Sequence, residues 1–347
     1  MKKIIALFCM CWINLCSAQC VFGGDKPPLF GAVAEGNVKE IQRLLDSGAN
    51  IYVRTNGGWT VLMEAARAGH SQVIQTLLDN RADIHAKNSF DMTALMIAAA
   101  NGHTQAIQTL LDNRADIHAR DKLGMTALMI AAERGHSQVI QILLENRADI
   151  HVRNELGRTA LMVAAEKGHS QAIQTLLDNG ADIHENKDGM TALMVASLWG
   201  HAQAVQTLLD NRADIHARTN KGMTALMGAA LCGQTQVIQT LLDNRANIYA
   251  KTNAGFTALM FAADNGNIQA IQTLLDNRAD INAKNNDGRT ALMFAVMSQP
   301  KEVVEVLLRH GANPNIATPQ GETALSLAYQ SPHKGVVALL KKYGAKK

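Results

Sequence analysis

Ten of the twelve histidines recur in two fixed registers. Imidazole is a common metal ligand and proton carrier, so the pattern invites a chemical reading. His70, His103, His136, His169 and His201 each follow a glycine, whereas His85, His118, His151, His184 and His216 each close an Asp-Ile-His triplet. Within either register successive copies are 32 or 33 residues apart, so each belongs to its own structural unit. Units packed at the distance of neighbouring helices hold such rings about 10 Å apart, too far for three or four donors to converge on one ion. With no Cys or carboxylate cluster to complete a set, no metal or other cofactor is expected, and the histidines read as packing between units.

The remaining reactive side chains follow the same rhythm. Arg81, Arg114, Arg147, Arg212, Arg245 and Arg278 form a column that could track a phosphate backbone. Acids bracket five of the six, as Asp79 and Asp83 bracket Arg81, and precede the sixth, Arg245, while the whole chain carries a formal charge of only +3. A charge ladder between units is therefore expected, and nucleic acid is not. Met63, Met96, Met129, Met162, Met194, Met227, Met260 and Met293 form another column, read as gap-filling in a core. Cys232 stands alone beyond the first 20 residues, and Gln234 rather than His lies at the adjoining junction. A thiol-dependent redox role centred on it stays open as an alternative. No catalytic triad, glycine-rich phosphate loop or carboxylate pair stands outside the repeating register, so an enzyme is not expected.

What must position these columns is legible in the spacing. Only 4% of residues are aromatic while 47% are hydrophobic, so the core is built from Leu, Ala, Ile and Met, a composition suited to close-packed helices. Aligned on Thr-Ala-Leu-Met, the threonines fall at 60, 93, 126, 159, 191, 224, 257, 290 and 323, giving seven intervals of 33 and one of 32. Within one unit, Thr93 to Ala99 carries a short apolar stripe, Gly102 stops it, and Thr104 is the expected cap of a second helix. That helix sets Ile107, Leu110 and Leu111 on one side and Gln105, Gln108 and Asp112 on the other. Two such helices cannot bury a core alone, but serial stacking can, which is why the unit recurs.

The start of the chain reads differently. Lys2 and Lys3 precede an apolar run from Ile4 to Leu15 and then small residues, the pattern of a secretory signal peptide over 1–18. A short leader is expected over 19–26, ten units over 27–344 and a basic tail over 345–347. Removing the signal lowers the formal charge from +3 to +1 and leaves Cys20 and Cys232, which is no disulfide framework. Leu15 before Cys16 and Gln19 before Cys20 do not favour lipidation at either cysteine. No other stretch is apolar enough to span a membrane.

The period, the tetrad, the Gly-His pair at Gly69-His70, Gly102-His103, Gly135-His136, Gly168-His169 and Gly200-His201, and the Gly-Ala-Asp at Gly180-Ala181-Asp182 together resemble the ankyrin repeat. The resemblance covers nearly the whole chain after the leader. It implies an all-α repeat solenoid of stacked helix pairs with projecting β-hairpin fingers, a concave face that binds other proteins, and no catalytic residues. Two departures stand out: Met replaces the tetrad His in eight units, and Arg replaces the Gly that closes the second helix in six. Arg in a left-handed conformation costs on the order of 1 kcal/mol, unless the preceding Asn takes that conformation. The tetrad variant and the signal look bacterial, so export to the periplasm or the medium is expected.

If the scaffold is uniform, selectivity lies where units differ: the finger tips just before each Thr, and the ends of the first helices. The expected partner-binding set is Trp59, Phe90, Leu123, Met190, Leu198, Trp199, Met223, Leu231 and Phe256, with its centre at Leu198, Trp199 and Leu231 beside Met190 and Met223. Mutual covering of Trp199 and Leu231 between stacked units is the competing reading. The 32-residue interval shortens one finger between Asp182 and Thr191, next to this patch. The expected molecule is a monomeric, non-enzymatic scaffold that binds another protein; a mechanical spacer without a partner is the second alternative.

Overall fold

The computed structural model describes residues 27–298, 300–330 and 335–346. The expected signal peptide over 1–18, the leader over 19–26 with Cys20, and Lys347 of the tail lie outside the described residues, as do Gln299, Pro332 and His333 near the end of the chain. Two compact units divide the chain, Met1–Leu156 and Gly157–Lys347.

In the first unit the helices are α1 (Pro28–Ala34), α2 (Val38–Asp46), α3 (Val61–Ala68), α4 (Ser71–Asp79), α5 (Ala94–Asn101), α6 (Thr104–Asp112), α7 (Ala127–Arg134) and α8 (Ser137–Glu145). In the second they are α9 (Ala160–Lys167), α10 (Ser170–Asp178), α11 (Ala192–Trp199), α12 (Ala202–Asp210), α13 (Ala225–Cys232), α14 (Thr235–Asp243), α15 (Ala258–Asp264), α16 (Ile268–Asp276), α17 (Ala291–Ser298), α18 (Lys301–Arg309), α19 (Ala324–Ala328) and α20 (Val336–Lys342). Each unit is a run of helix pairs in two layers, first helices against first helices and second against second. Among the described residues the only sheet is one hairpin, β1 (Asn186–Lys187) with β2 (Met190–Thr191).

The two layers differ in how much they bury. In α5 every residue from Ala94 to Ala99 is buried, so the first helix is enclosed on all sides rather than along a stripe. Alanines on several sides permit that enclosure by letting neighbouring helices approach closely. The second helix buries one face only: α6 hides Ala106, Ile107 and Leu110, the last two worth about 2 kcal/mol each on removal from water. Thr93 Oγ1 accepts the amide of Met96 at 3.4 Å, and Thr126 repeats the cap at Met129, 3.3 Å.

Two sequence expectations are corrected here. Thr104 opens α6 but does not cap it: the N-cap is His103, whose side chain makes no capping bond. Its ring instead reaches back one repeat, Nε2–H donating to the carbonyl of Arg67 at 2.9 Å. His70, His136 and His201 make the same bond to Ala34, Ala100 and Glu166, at 3.1, 3.2 and 2.8 Å. Burial, with the Lys167 charge, holds His201 below the usual imidazole range. Glycine precedes this histidine column for two reasons: Gly69 sits at φ +75°, and a Cβ there would lie 2.7 Å from the His103 ring.

The second correction concerns the arginine column. Asn does not take the left-handed role, since Asn113 sits at φ −89°. Arg114 takes it at φ +64°, and the other five arginines lie at +66°. Nor is there a charge ladder: among the described residues no carboxylate lies within ion-pair distance of these six guanidinium groups, which point into solvent. The ladder between repeats is made of amides. Asn113 Nδ2 donates to Thr109 O and to Gln75 Oε1 of the preceding repeat, both at 2.9 Å, and Gln75 Nε2 donates to Asp79 at 2.8 Å. Asn211 with Gln174, and Asn244 with Gln206, repeat it in the second unit at 2.8 and 3.1 Å.

The shortened finger takes a defined turn. Losing one residue turns it into a two-residue hairpin, with Asp188 at φ +54° and Gly189 at +78°, both positive as a type I′ turn requires. Its Lys187 lies across Gly157 of the preceding finger.

Candidate protein-interaction surfaces

In the first unit the finger is shaped by the side chain five residues before each Thr. Asn88 Oδ1 accepts the amides of Phe90 and Met92 at 2.9 and 3.0 Å; Asp121 Oδ1 accepts those of Leu123 and Met125, both at 2.8 Å. This Asx turn aims the residue two positions on outward and the residue four positions on inward. Phe90, Leu123 and Leu156 accordingly stand 45%, 41% and 52% exposed, while Met92 and Met125 are buried. Trp59, expected as a contact residue, occupies the inward position and is only 8% exposed, so it packs the first finger and offers little to a partner. Burial pushes the Asp121 carboxyl up, with Glu133 and Asp91 adding to the effect and its two backbone hydrogen bonds opposing it.

Successive fingers are joined through the backbone. Ser89 N–H donates to Gly57 O, Lys122 N–H to Phe90 O and Glu155 N–H to Leu123 O, at 2.9, 3.1 and 3.0 Å. Long cationic side chains add a second tie: Arg54 donates to Lys87 O at 2.9 Å, Lys87 to Arg120 O at 3.2 Å, and Arg120 to Arg153 O.

In the second unit the inward finger position behaves differently. Met190, Met223 and Phe256 are half-buried there, beside the first helices. Phe256 packs on Phe261 of α15 and Phe294 of α17, with ring centroids 5.4 and 5.0 Å apart. Arg158 and Arg289 hold the same position at the two ends of the run, paired to Glu166 and to Glu322, the latter at 3.0 Å. Burial lowers the Arg158 pKa. An apolar strip bounded at both ends by ion-paired arginines is therefore partly open to solvent.

The centre expected from sequence lies on the inner-helix side of this strip. Leu198, Trp199 and Leu231 are half-buried. Leu198 leans on the next repeat: a Cβ on Gly228 would sit 3.2 Å from its Cγ, so part of this leucine serves packing. Cys232 is half-buried as well, and burial pushes its thiol up, the direction opposite to that of reactive thiolates. Leu156 was legible as a fingertip but stood outside the expected set. The Arg158–Glu166 and Arg289–Glu322 pairs were missed because their partners lie 8 and 33 residues apart, unlike the helical spacings at which ion pairs announce themselves.

The sequence profile described as ankyrin repeats (3 copies) matches five successive stretches, 3–88, 80–154, 146–219, 211–285 and 277–347. The chain belongs to the ankyrin-repeat family. Among solved structures, the crystal structure of the human ASB11 ankyrin repeat domain is similar at 27% identity and a TM-score of 0.58, over 64% of this chain and 99% of that one. No curated protein matches the sequence. Ankyrin repeats generally mediate protein–protein interaction, and no helix among the described residues is long and apolar enough to cross a membrane. For an ankyrin repeat, the inward finger position and the first-helix ends form the face on which the second unit carries its half-exposed apolar strip.

Proposed function

We propose that this ankyrin protein is a non-enzymatic adaptor that grips a partner protein along the Met190, Met223 and Phe256 strip of the Gly157–Lys347 unit, with Leu198, Trp199 and Leu231 at its inner edge. One observation carries the reading: consecutive repeats leave large apolar side chains half-exposed at a position that the first unit fills with the buried Trp59, Met92 and Met125. Arg158 and Arg289, each paired to a glutamate, bound the strip with charge-balanced polar ends and favour a partner segment with an apolar middle. A thiol role at Cys232 is disfavoured by its raised pKa, and a bare spacer has no use for the strip. Export is part of the proposal, supported by Lys2, Lys3 and the apolar run that follows them.

The test is affinity capture from the producing cell with the parent chain, Trp199→Ala/Leu231→Ala and Met223→Glu, with fractionation to follow export. Both variants are expected to lose the captured protein while their circular dichroism matches the parent. Capture unchanged in both removes the site from consideration.

A further inference from the structure

The outward fingertip position, three residues before each Thr, leaves about half of its side chain exposed in one repeat after another, so the scaffold places a weaker packing demand on it than on the inward position. The second unit uses it accordingly, with Asp188, Lys221 and Asp287 in its exposed tips. In the first unit the same position is Phe90, Leu123 and Leu156, three large apolar side chains in consecutive fingers. A contiguous exposed apolar row that folding does not require marks a contact surface. Each finger contributes two extended segments about 4.8 Å apart, so the tips recur about every 10 Å along a ridge rather than lining a groove.

The charges beside this ridge identify what it fits. Arg54, Lys87, Arg120, Lys122 and Arg153 run along the same fingers. Against them near the tips stand Asp91, Glu155 and Asp121, the last buried and engaged by two backbone amides, while Asp83, Asp116 and Asp149 lie farther back, where each finger leaves its second helix. Arg54, Lys87 and Arg120 lie lengthwise across to the next finger, each donating to the carbonyl three residues before the next tip. Projecting apolar tips flanked by cations match an anionic lipid bilayer, whose headgroups attract the cations while its interface takes up the apolar side chains. We infer that the Met1–Leu156 unit docks edge-on to anionic membrane surfaces through Phe90, Leu123 and Leu156. This surface is separate from the strip proposed above and stands or falls independently of it.

The experiment is co-sedimentation of the full chain with vesicles of phosphatidylcholine alone and of phosphatidylcholine with about 30% phosphatidylglycerol. The parent is expected to partition at least about tenfold more strongly onto the anionic vesicles, and to lose that preference at high salt. Phe90→Ser/Leu123→Ser/Leu156→Ser and, separately, Lys87→Glu/Arg120→Glu should each weaken partition about tenfold or more. Lys221→Ser/Asp287→Ser, at the same position in the second unit, should not. Residues 1–26 are common to all these chains, so any contribution from them cancels in the comparison. Equal partition of parent and triple-serine chain overturns the inference, and so does equal binding to neutral vesicles. A ridge that captures a protein in a Phe90-dependent manner while ignoring vesicles would overturn it too.

Discussion

Replacing Arg81, Arg114 and Arg147 by Gly should stabilise the first unit. Each arginine holds φ between +64° and +66°, a conformation that costs an L-residue about 1 kcal/mol. Glycine removes that cost but gives back about 0.5 kcal/mol through its freer unfolded chain, leaving a net gain of about 0.5 kcal/mol per site. The side chains are exposed and make no ion pair among the described residues, so nothing else is lost. Three well-separated sites should add to about 1.5 kcal/mol. With a urea slope near 3 kcal/mol/M, the midpoint of the first unit should rise by about half a molar. Gly180, at the same position with φ +89° and open space around its missing Cβ, supplies the reciprocal test: Gly180→Arg should lower the midpoint of the second unit by the increment of one site. Asn113→Ala, which removes the bonds to Thr109 and Gln75, should cost about 1–2 kcal/mol. If the glycine variants prove less stable than the parent while Asn113→Ala is neutral, the load between repeats is carried by charge and the amide ladder is incidental.

Two further outcomes follow from groups displaced from their ordinary pKa values. Asp121 is raised, so the folded unit binds its proton more tightly than the unfolded chain does, and its ionisation costs stability as pH rises from the ordinary 3.8 through the raised value. Asp121→Asn, the residue that Asn88 and Asn154 already place in the flanking fingers, should therefore raise the urea midpoint at neutral pH. That gain should shrink as the pH is lowered toward 3.8, and a destabilised variant at pH 7 would contradict the assignment. Cys232, raised by burial, should label with a thiol reagent at neutral pH more slowly in the folded chain than in urea, read by mass spectrometry of its own peptide. Faster labelling in the folded chain would restore the redox alternative.

Much of this architecture is legible in the sequence because the same local instruction is issued again and again. Thr93, Gly102 and the Ile107–Leu110 face specify cap, stop and buried side by short-range rules, and the structure follows them in repeat after repeat. What was not legible depended on contacts one repeat away. His103 reads as a junction residue, but its bond to Arg67 O is a contact over 36 positions. Asn113 reads as a helix terminator, but its second donor hydrogen finds Gln75 over 38. Without the stacking geometry, the six arginines and their neighbouring acids look like partners, and only the turn of the backbone shows them diverging into solvent. Trp59 misled for a related reason: residue type suggested a contact, whereas position, four beyond Thr55, pointed the ring inward.

The same dependence on position separates the two surfaces. Inward finger residues are constrained by neighbouring first helices, so partial exposure there, as at Met223 and Phe256, reflects what the next helix offers as cover: Gly228, Phe261 and Phe294 in place of the fully buried Ile97 and Ile130 of the first unit. Outward residues remain about half exposed, and their identity is less constrained. An apolar residue at a constrained position can be explained by packing; at an unconstrained one it cannot, and three in succession raise the aggregation risk of the molecule without strengthening its fold. On this reasoning Phe90, Leu123 and Leu156 point to function more strongly than the half-buried strip does. Serine at any one of the three should accordingly lower the thermal midpoint less than Phe256→Ser, which strips a ring from Phe261 and Phe294 and should lower it by several degrees.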